Sequence, residues 1–139
     1  MRGKPFEVID HIADIGIIAH GCDLSELFTN AASGMLHLQT GQNAIKPEVK
    51  REIMLEAGDP ETLLVEWLNE LLYLLDTERL LLNKFEIHIE QNKLRANCRG
   101  MVMDPARHKL KREIKAATYH DLRITREGSD YSAKIIFDI

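Results

Sequence analysis

The sequence predicts an α+β fold, with two main helices packed on a largely antiparallel β-sheet in a single domain over residues 1–139. Three observations predict it. Two segments, near residues 24–37 and 60–77, place apolar residues at the 3.6-residue spacing of amphipathic helices. The second half of the chain alternates apolar and polar residues between short turn signals, the pattern of hairpins. The length of 139 residues and the 45% hydrophobic content suit one well-packed domain and are too small for two.

Each element has its own local warrant. Phe6 and Val8 alternate with Glu7 and Ile9 as a first strand, and Gly16-Ile17-Ile18-Ala19 reads as a second, closed by Gly21. Asp23 is placed to cap a helix, with Glu26 three residues on as in a capping box. Leu24, Leu27, Phe28, Ala31, Ala32 and Met35 then trace the core face of helix one, from Leu24 to His37. Residues 40–47 carry Gly, Asn and Pro and read as a loop. Ile53, Leu55 and Ala57 alternate with polar neighbours as a half-buried strand. Gly58-Asp59-Pro60 supplies a turn, a cap and a proline at the first helical position.

Helix two follows from Pro60 to Thr77, with Leu63, Leu64, Trp67, Leu68, Leu71, Leu72 and Leu75 on one stripe. Burying each such side chain contributes roughly 1.5–3 kcal/mol, so this helix should anchor the core, with Trp67 as packing. Phe85, Ile87 and Ile89, a turn at Gln91-Asn92-Lys93, then Leu94, Ala96, Cys98 and Gly100 form a hairpin with one apolar face. Leu122 and Ile124, the turn Gly128-Ser129-Asp130, and Tyr131, Ala133, Ile135 and Phe137 form another. Leu110, Arg112 and Ile114 alternate within the basic run Lys109 to Lys115 and read as a strand with a solvated face; the sharper reading of that run is a patch for an acidic partner or RNA.

Composition removes several classes. The net charge of -4 argues against sequence-independent nucleic-acid binding over the whole surface, leaving only a local basic patch. The two cysteines, Cys22 and Cys98, form no CxxC and point to reduced thiols in or near the core, without a disulfide framework or zinc site. Pro5-Phe6-Glu7 interrupts any signal-peptide run, and the apolar-rich stretch Leu63 to Leu75 contains Glu66, Asn69 and Glu70, which exclude a membrane span. The expected setting is the cytoplasm.

The chemistry centres on Asp14, a carboxylate between Ala13 and Ile15 where the chain otherwise reads as core. A buried carboxylate needs a cation, a donor or water. Asp138 and the α-carboxylate of Ile139 offer two more anions at the far end of a strand, on the face opposite Phe137. If the two ends meet, three oxygen anions form a site for a hard divalent cation, Ca²⁺ or Mg²⁺ rather than Zn²⁺. The competing reading is a capping aspartate and a solvated tail. Asp104-Pro105-Ala106-Arg107-His108 reads as a turn with His108 exposed. Lys115, Tyr119 and His120 form a compact group suited to acid–base work, with no serine or cysteine nucleophile nearby and no P-loop in the chain. His11, Asp104, His108, Lys115, Tyr119 and His120 are therefore supporting or partner-contact candidates.

Taken together these segments resemble the archease family. The matching pieces are His11 to Gly16, Leu24-Ser25-Glu26-Leu27-Phe28 with Ala31-Ala32, the helix Leu63 to Tyr73, the segment His108 to His120, and Phe137-Asp138-Ile139, in order over essentially the whole chain. The resemblance implies a non-catalytic accessory protein of the GTP-dependent RNA ligase of tRNA splicing, promoting ligase guanylylation and multiple turnover. It also implies a divalent metal, Ca²⁺ or Mg²⁺/Mn²⁺, held by Asp14, Asp138 and Ile139. Direct contact with RNA is not implied. Ile12 stands where threonine is usual, and Met101 where an acidic residue is common; neither change removes a metal ligand. Two other classes compete with this reading: a metal-dependent phosphoesterase built on Asp14, Asp138 and His120, and a general protein chaperone.

Overall fold

The structure, a computed structural model, describes residues 4–10, 14–41 and 45–139. The chain runs β1 (Phe6–Asp10), β2 (Asp14–Gly21), α1 (Leu24–Thr40), β3 (Val49–Glu56), α2 (Pro60–Glu78), β4 (Leu80–Glu90), β5 (Lys93–Val102), β6 (Ala116–Ala117), β7 (Ile124–Glu127) and β8 (Asp130–Asp138). The fold class is the expected one, and all the strand pairs are antiparallel. The strands divide between two sheets. One has the order β1-β2-β8, with β6 and β7 both pairing along the free edge of β8; the other is β3-β5-β4. Both helices touch both sheets and so form the middle layer.

The helices begin where the caps require. The Asp23 side chain accepts from the Glu26 N–H, and the Glu26 carboxylate accepts in turn from the Cys22 N–H. Asp59 accepts from the Thr62 N–H, with Pro60 in the first turn. These bonds satisfy N–H groups that a helix start leaves without partners. Trp67 is fully buried, its indole N–H donates to the Phe28 carbonyl at 3.1 Å, and its ring meets Phe85 edge-on at 5.6 Å. One side chain thus ties α2 to α1 and to the three-stranded sheet. Gln91 and Asn92 both take positive φ, as a two-residue hairpin turn demands.

Two sheets stand where the sequence reading has one, and three local details also depart from it. The run Lys109–Lys115 is not a strand: it is irregular and is fastened where the Lys111 and Arg112 N–H groups both donate to the Gln39 carbonyl at the end of α1. Strand β4 starts at Leu80, five residues earlier than Phe85, because a bulge between Leu82 and Lys84 interrupts the period of two and buries Leu80, Leu81 and Leu82 in succession. Of the two thiols only Cys98 is in the core; Cys22 is exposed just ahead of α1.

The two-residue strand β6 is held from both sides. Ala117 pairs with Phe137 on β8, while the Asn69 side chain on α2 accepts from the Ala117 N–H at 2.8 Å and donates to its carbonyl at 3.1 Å. The amide mimics a neighbouring strand. Asn69→Leu should remove both partners and cost about 1–3 kcal/mol for each polar group left buried, read by urea unfolding. Burial pushes the Cys98 thiol up to about 12, so at neutral pH it stays protonated; a maleimide should label Cys22 in the native protein and reach Cys98 only on unfolding. Arg51 donates two hydrogen bonds to Glu78 and holds its carboxyl below the ordinary 4.5. That contribution is complete above pH 4.5 and is lost as pH falls through the lowered folded value. Glu78→Gln should therefore lower stability at neutral pH and flatten its loss toward acid, with the smaller effect expected of an exposed pair.

Candidate functional site

Strand β2 pairs with β8 over eight residues, from Asp14 opposite Asp138 to Gly21 opposite Tyr131. Ile15, Ile17 and Ala19 lie opposite Phe137, Ile135 and Ala133, and all six are buried. This is the helix-facing side. Side-chain alternation puts Asp14 and Asp138 together on the other side, at the end of the ladder. Directly opposed residues on one sheet face hold their Cβ atoms about 4.5–5.5 Å apart, so the two carboxylates are neighbours.

Their surroundings differ. Asp138 is exposed, whereas Asp14 is half-buried and its Oδ1 atom is fully enclosed with no hydrogen-bond partner among the described residues. An enclosed carboxylate oxygen without a donor, facing a second carboxylate, is an arrangement that a cation would stabilise. Ile139 continues past the strand and is 40% exposed. Among the described residues no three His, Cys, Asp or Glu side chains converge at metal-ligand spacing. His11 lies outside the described residues.

The backbone around the pair is tightly set. A Cβ at Gly16 would stand 2.8 Å from the Ile135 carbonyl oxygen and from Ile136 Cδ1, so glycine permits the close approach of β8 two residues from Asp14. On the other edge of β8 the Lys115 N–H donates to the Asp138 carbonyl at 2.8 Å, and Ala116 is the register partner of Asp138. The Thr118 N–H and hydroxyl both donate to the Ile136 carbonyl, at 3.0 and 2.8 Å.

The sequence-derived candidates separate into two groups. Lys115, Tyr119 and His120 belong to the segment that runs alongside the end of β8. Tyr119 is 56% exposed, and His120 approaches Asp121 at 3.4 Å in the open. Asp104 and His108 belong elsewhere, at the C-terminal end of α2, where the Met103 N–H bonds the Arg79 carbonyl. They close a turn on themselves: the His108 N–H donates to the Asp104 carbonyl, and the Asp104 N–H donates to His108 Nδ1 at 2.9 Å. His108 is thereby half-buried rather than exposed. Asn69, Gly16 and Thr118 were not among the candidates, although they set the backbone of the site. The signal for Asn69 was available: it is a polar residue set inside the leucine stripe of α2.

The sequence profile of the Archease protein family matches residues 6–139. The archease of Sulfurisphaera tokodaii is 35% identical over 138 residues, covering 98% of this chain and 99% of that protein. The archease of Pyrococcus abyssi is 36% identical, covering 98% and 99%. The solution structure of Methanobacterium thermoautotrophicum protein 1598 superposes with a TM-score of 0.78 at 32% identity, over 97% of this chain and 99% of that one. The crystal structure of an archease and possible chaperone from Thermotoga maritima superposes with a TM-score of 0.68 at 27% identity, over 100% and 98%. With a profile match over nearly its whole length and relatives of this similarity, the chain belongs to the archease family.

Proposed function

We propose that the protein is a non-catalytic accessory protein of a GTP-dependent tRNA-splicing RNA ligase, and that it holds a divalent cation with Asp14, Asp138 and the Ile139 carboxylate. The observation that carries the metal site is the enclosed, partnerless Asp14 Oδ1 opposite Asp138. An all-oxygen anionic donor set suits Ca²⁺, Mg²⁺ or Mn²⁺. Membership of the archease family supports the ligase as partner. When bound, the cation supplies positive charge able to meet phosphate oxygens. The chain's own groups do the rest. The β2–β8 ladder fixes the two carboxylates on rigid backbone, and Asp138 is further held through its carbonyl by Lys115. Phosphoryl-type transfer depends chiefly on positioning and charge neutralisation, and a docked accessory protein can contribute both without reacting itself. Tyr119 and Ile139 are exposed large side chains available to a partner surface.

Two measurements separate the parts of this reading. Ca²⁺ or Mn²⁺ should raise the melting temperature of the isolated protein by mass action on the folded state. Asp14→Asn should abolish that rise while melting no lower than the parent protein without metal, since it removes one of two facing charges. In a reconstituted ligation assay the parent protein should increase ligase guanylylation and turnover, and Asp14→Asn should not. Phosphoester turnover by the protein alone would point to a hydrolase. Suppression of aggregation of unrelated proteins, with no effect on the ligase, would point to a general chaperone. An unaltered metal response in Asp14→Asn would remove the site.

A further inference from the structure

A second concave site lies at the end of the helix pair, formed without any residue of the β2–β8 ladder. It is a cavity of about 510 Å³ between the C-terminal ends of α1 and α2 and the segment 103–114. That volume is within the range of small-ligand pockets. Leu72, Leu75 and Ile114 contribute an apolar floor, while Arg79, Lys109, Lys111 and Arg112 supply four cations against the carboxylates of Asp76 and Glu113. The chain as a whole carries a net charge of -4, so this surplus is local.

The cations stand on fixed backbone. Arg79 caps α2 in the left-handed conformation at φ 58, and its carbonyl accepts from Met103. Lys111 and Arg112 are anchored through their N–H groups to Gln39. Among the described residues, the charged ends of Arg79, Lys111 and Arg112 have no hydrogen bond or ion pair. Part of this charge complements the partial negative ends of the two helices, worth about half a charge each. Arg79 and Lys111, next to those ends, suffice for that. Set against the two carboxylates and about one unit of helix-end charge, the four cations leave about one positive charge over. His108 Nδ1 accepts from the Asp104 N–H, which leaves Nε2 as the nitrogen that donates.

We propose that this cleft binds a single-stranded nucleic acid, its phosphates on the arginine and lysine rim and a base on the apolar floor. Guanidinium groups pair with phosphate in a fork and also stack on bases. An acidic peptide offers the same charge, but an extended peptide also needs main-chain partners. The Arg107, His108, Lys111 and Arg112 N–H groups are already spent on Asp104 and Gln39. Phosphate oxygens can be met by Arg and Lys side chains without a free main-chain N–H. The inference depends on neither the metal nor the ligase, and its test uses neither.

Binding of a fluorescein-labelled oligouridylate of about fifteen nucleotides to the full chain should be measured by anisotropy across a salt series. The parent protein should bind at low salt and lose affinity as salt rises. Lys111→Ala with Arg112→Ala should weaken binding at least about tenfold and reduce the slope of log affinity on log salt by about 1.4, which is 0.7 for each lost contact. Lys50→Ala with Lys84→Ala, removing the same charge from the three-stranded sheet, should leave the slope unchanged, as should Asp14→Asn. Thermal melts establish that each variant is folded, and Arg112→Glu replaces the double variant if that one is not. Absence of salt-dependent binding, or equal losses from the two double variants, overturns the proposal. So does displacement by polyglutamate as effective as by unlabelled oligouridylate, which would assign the cleft to acidic polypeptide.

Discussion

The fold depends on the register of β2 against β8. A one-residue slip of β2 would turn Ile15, Ile17 and Ala19 away from the helices while Phe137, Ile135 and Ala133 stayed on the buried face. The alternation that makes these six the core face also sends Asp14 and Asp138 to the opposite face. The same free energy that selects the buried face therefore selects the position of the carboxylates. No separate interaction is needed to bring the acids together, and their mutual repulsion is small beside the apolar burial that enforces it. Strand β8 is also the hub on its other edge, where β6 and β7 attach end to end along one strand.

Much of this was legible in the residues. Both helices were, because caps and periodicity coincide: Asp23 and Asp59 fix where each begins, and the buried stripes follow the leucine spacing. The hairpin turning at Gln91-Asn92 was legible for the same reason. What was not legible is how strands are shared between sheets. Alternation reports that a strand has one buried face and is silent on its neighbours, so two sheets flanking a helix pair read as one. The segment Leu110–Ile114 shows the converse error. Its alternation is real, yet its N–H groups go to the end of α1, and hydrogen bonding rather than pattern decides what is a strand. Asp14 stood out as an isolated charge among apolar residues. That Asp138 lies opposite it required a register joining residues more than a hundred positions apart, which local pattern does not carry and family resemblance did.

The charge distribution divides the molecule. Acidic oxygens gather at the end of the β2–β8 ladder, while cations gather where the helices end, against a segment with no regular structure. Each group is mounted on backbone fixed by hydrogen bonds: strand pairing for the first, the Gln39 and Asp104 carbonyls for the second. Neither must be ordered by a partner before it can be recognised. Residues with such support lose little further entropy on contact, which lets small, polar surfaces bind specifically.

The separation in sequence between β2 and β8 also bears on how the molecule assembles. Helix α1 and the three-stranded sheet are built from segments close along the chain, whereas the β2–β8 ladder closes a loop of more than a hundred residues and pays that entropy before it is rewarded. A chain in which this ladder has not closed presents no facing aspartates. The acidic pair thus acts as a certificate of finished folding, and any partner that reads it discriminates against incomplete molecules without a separate quality-control step.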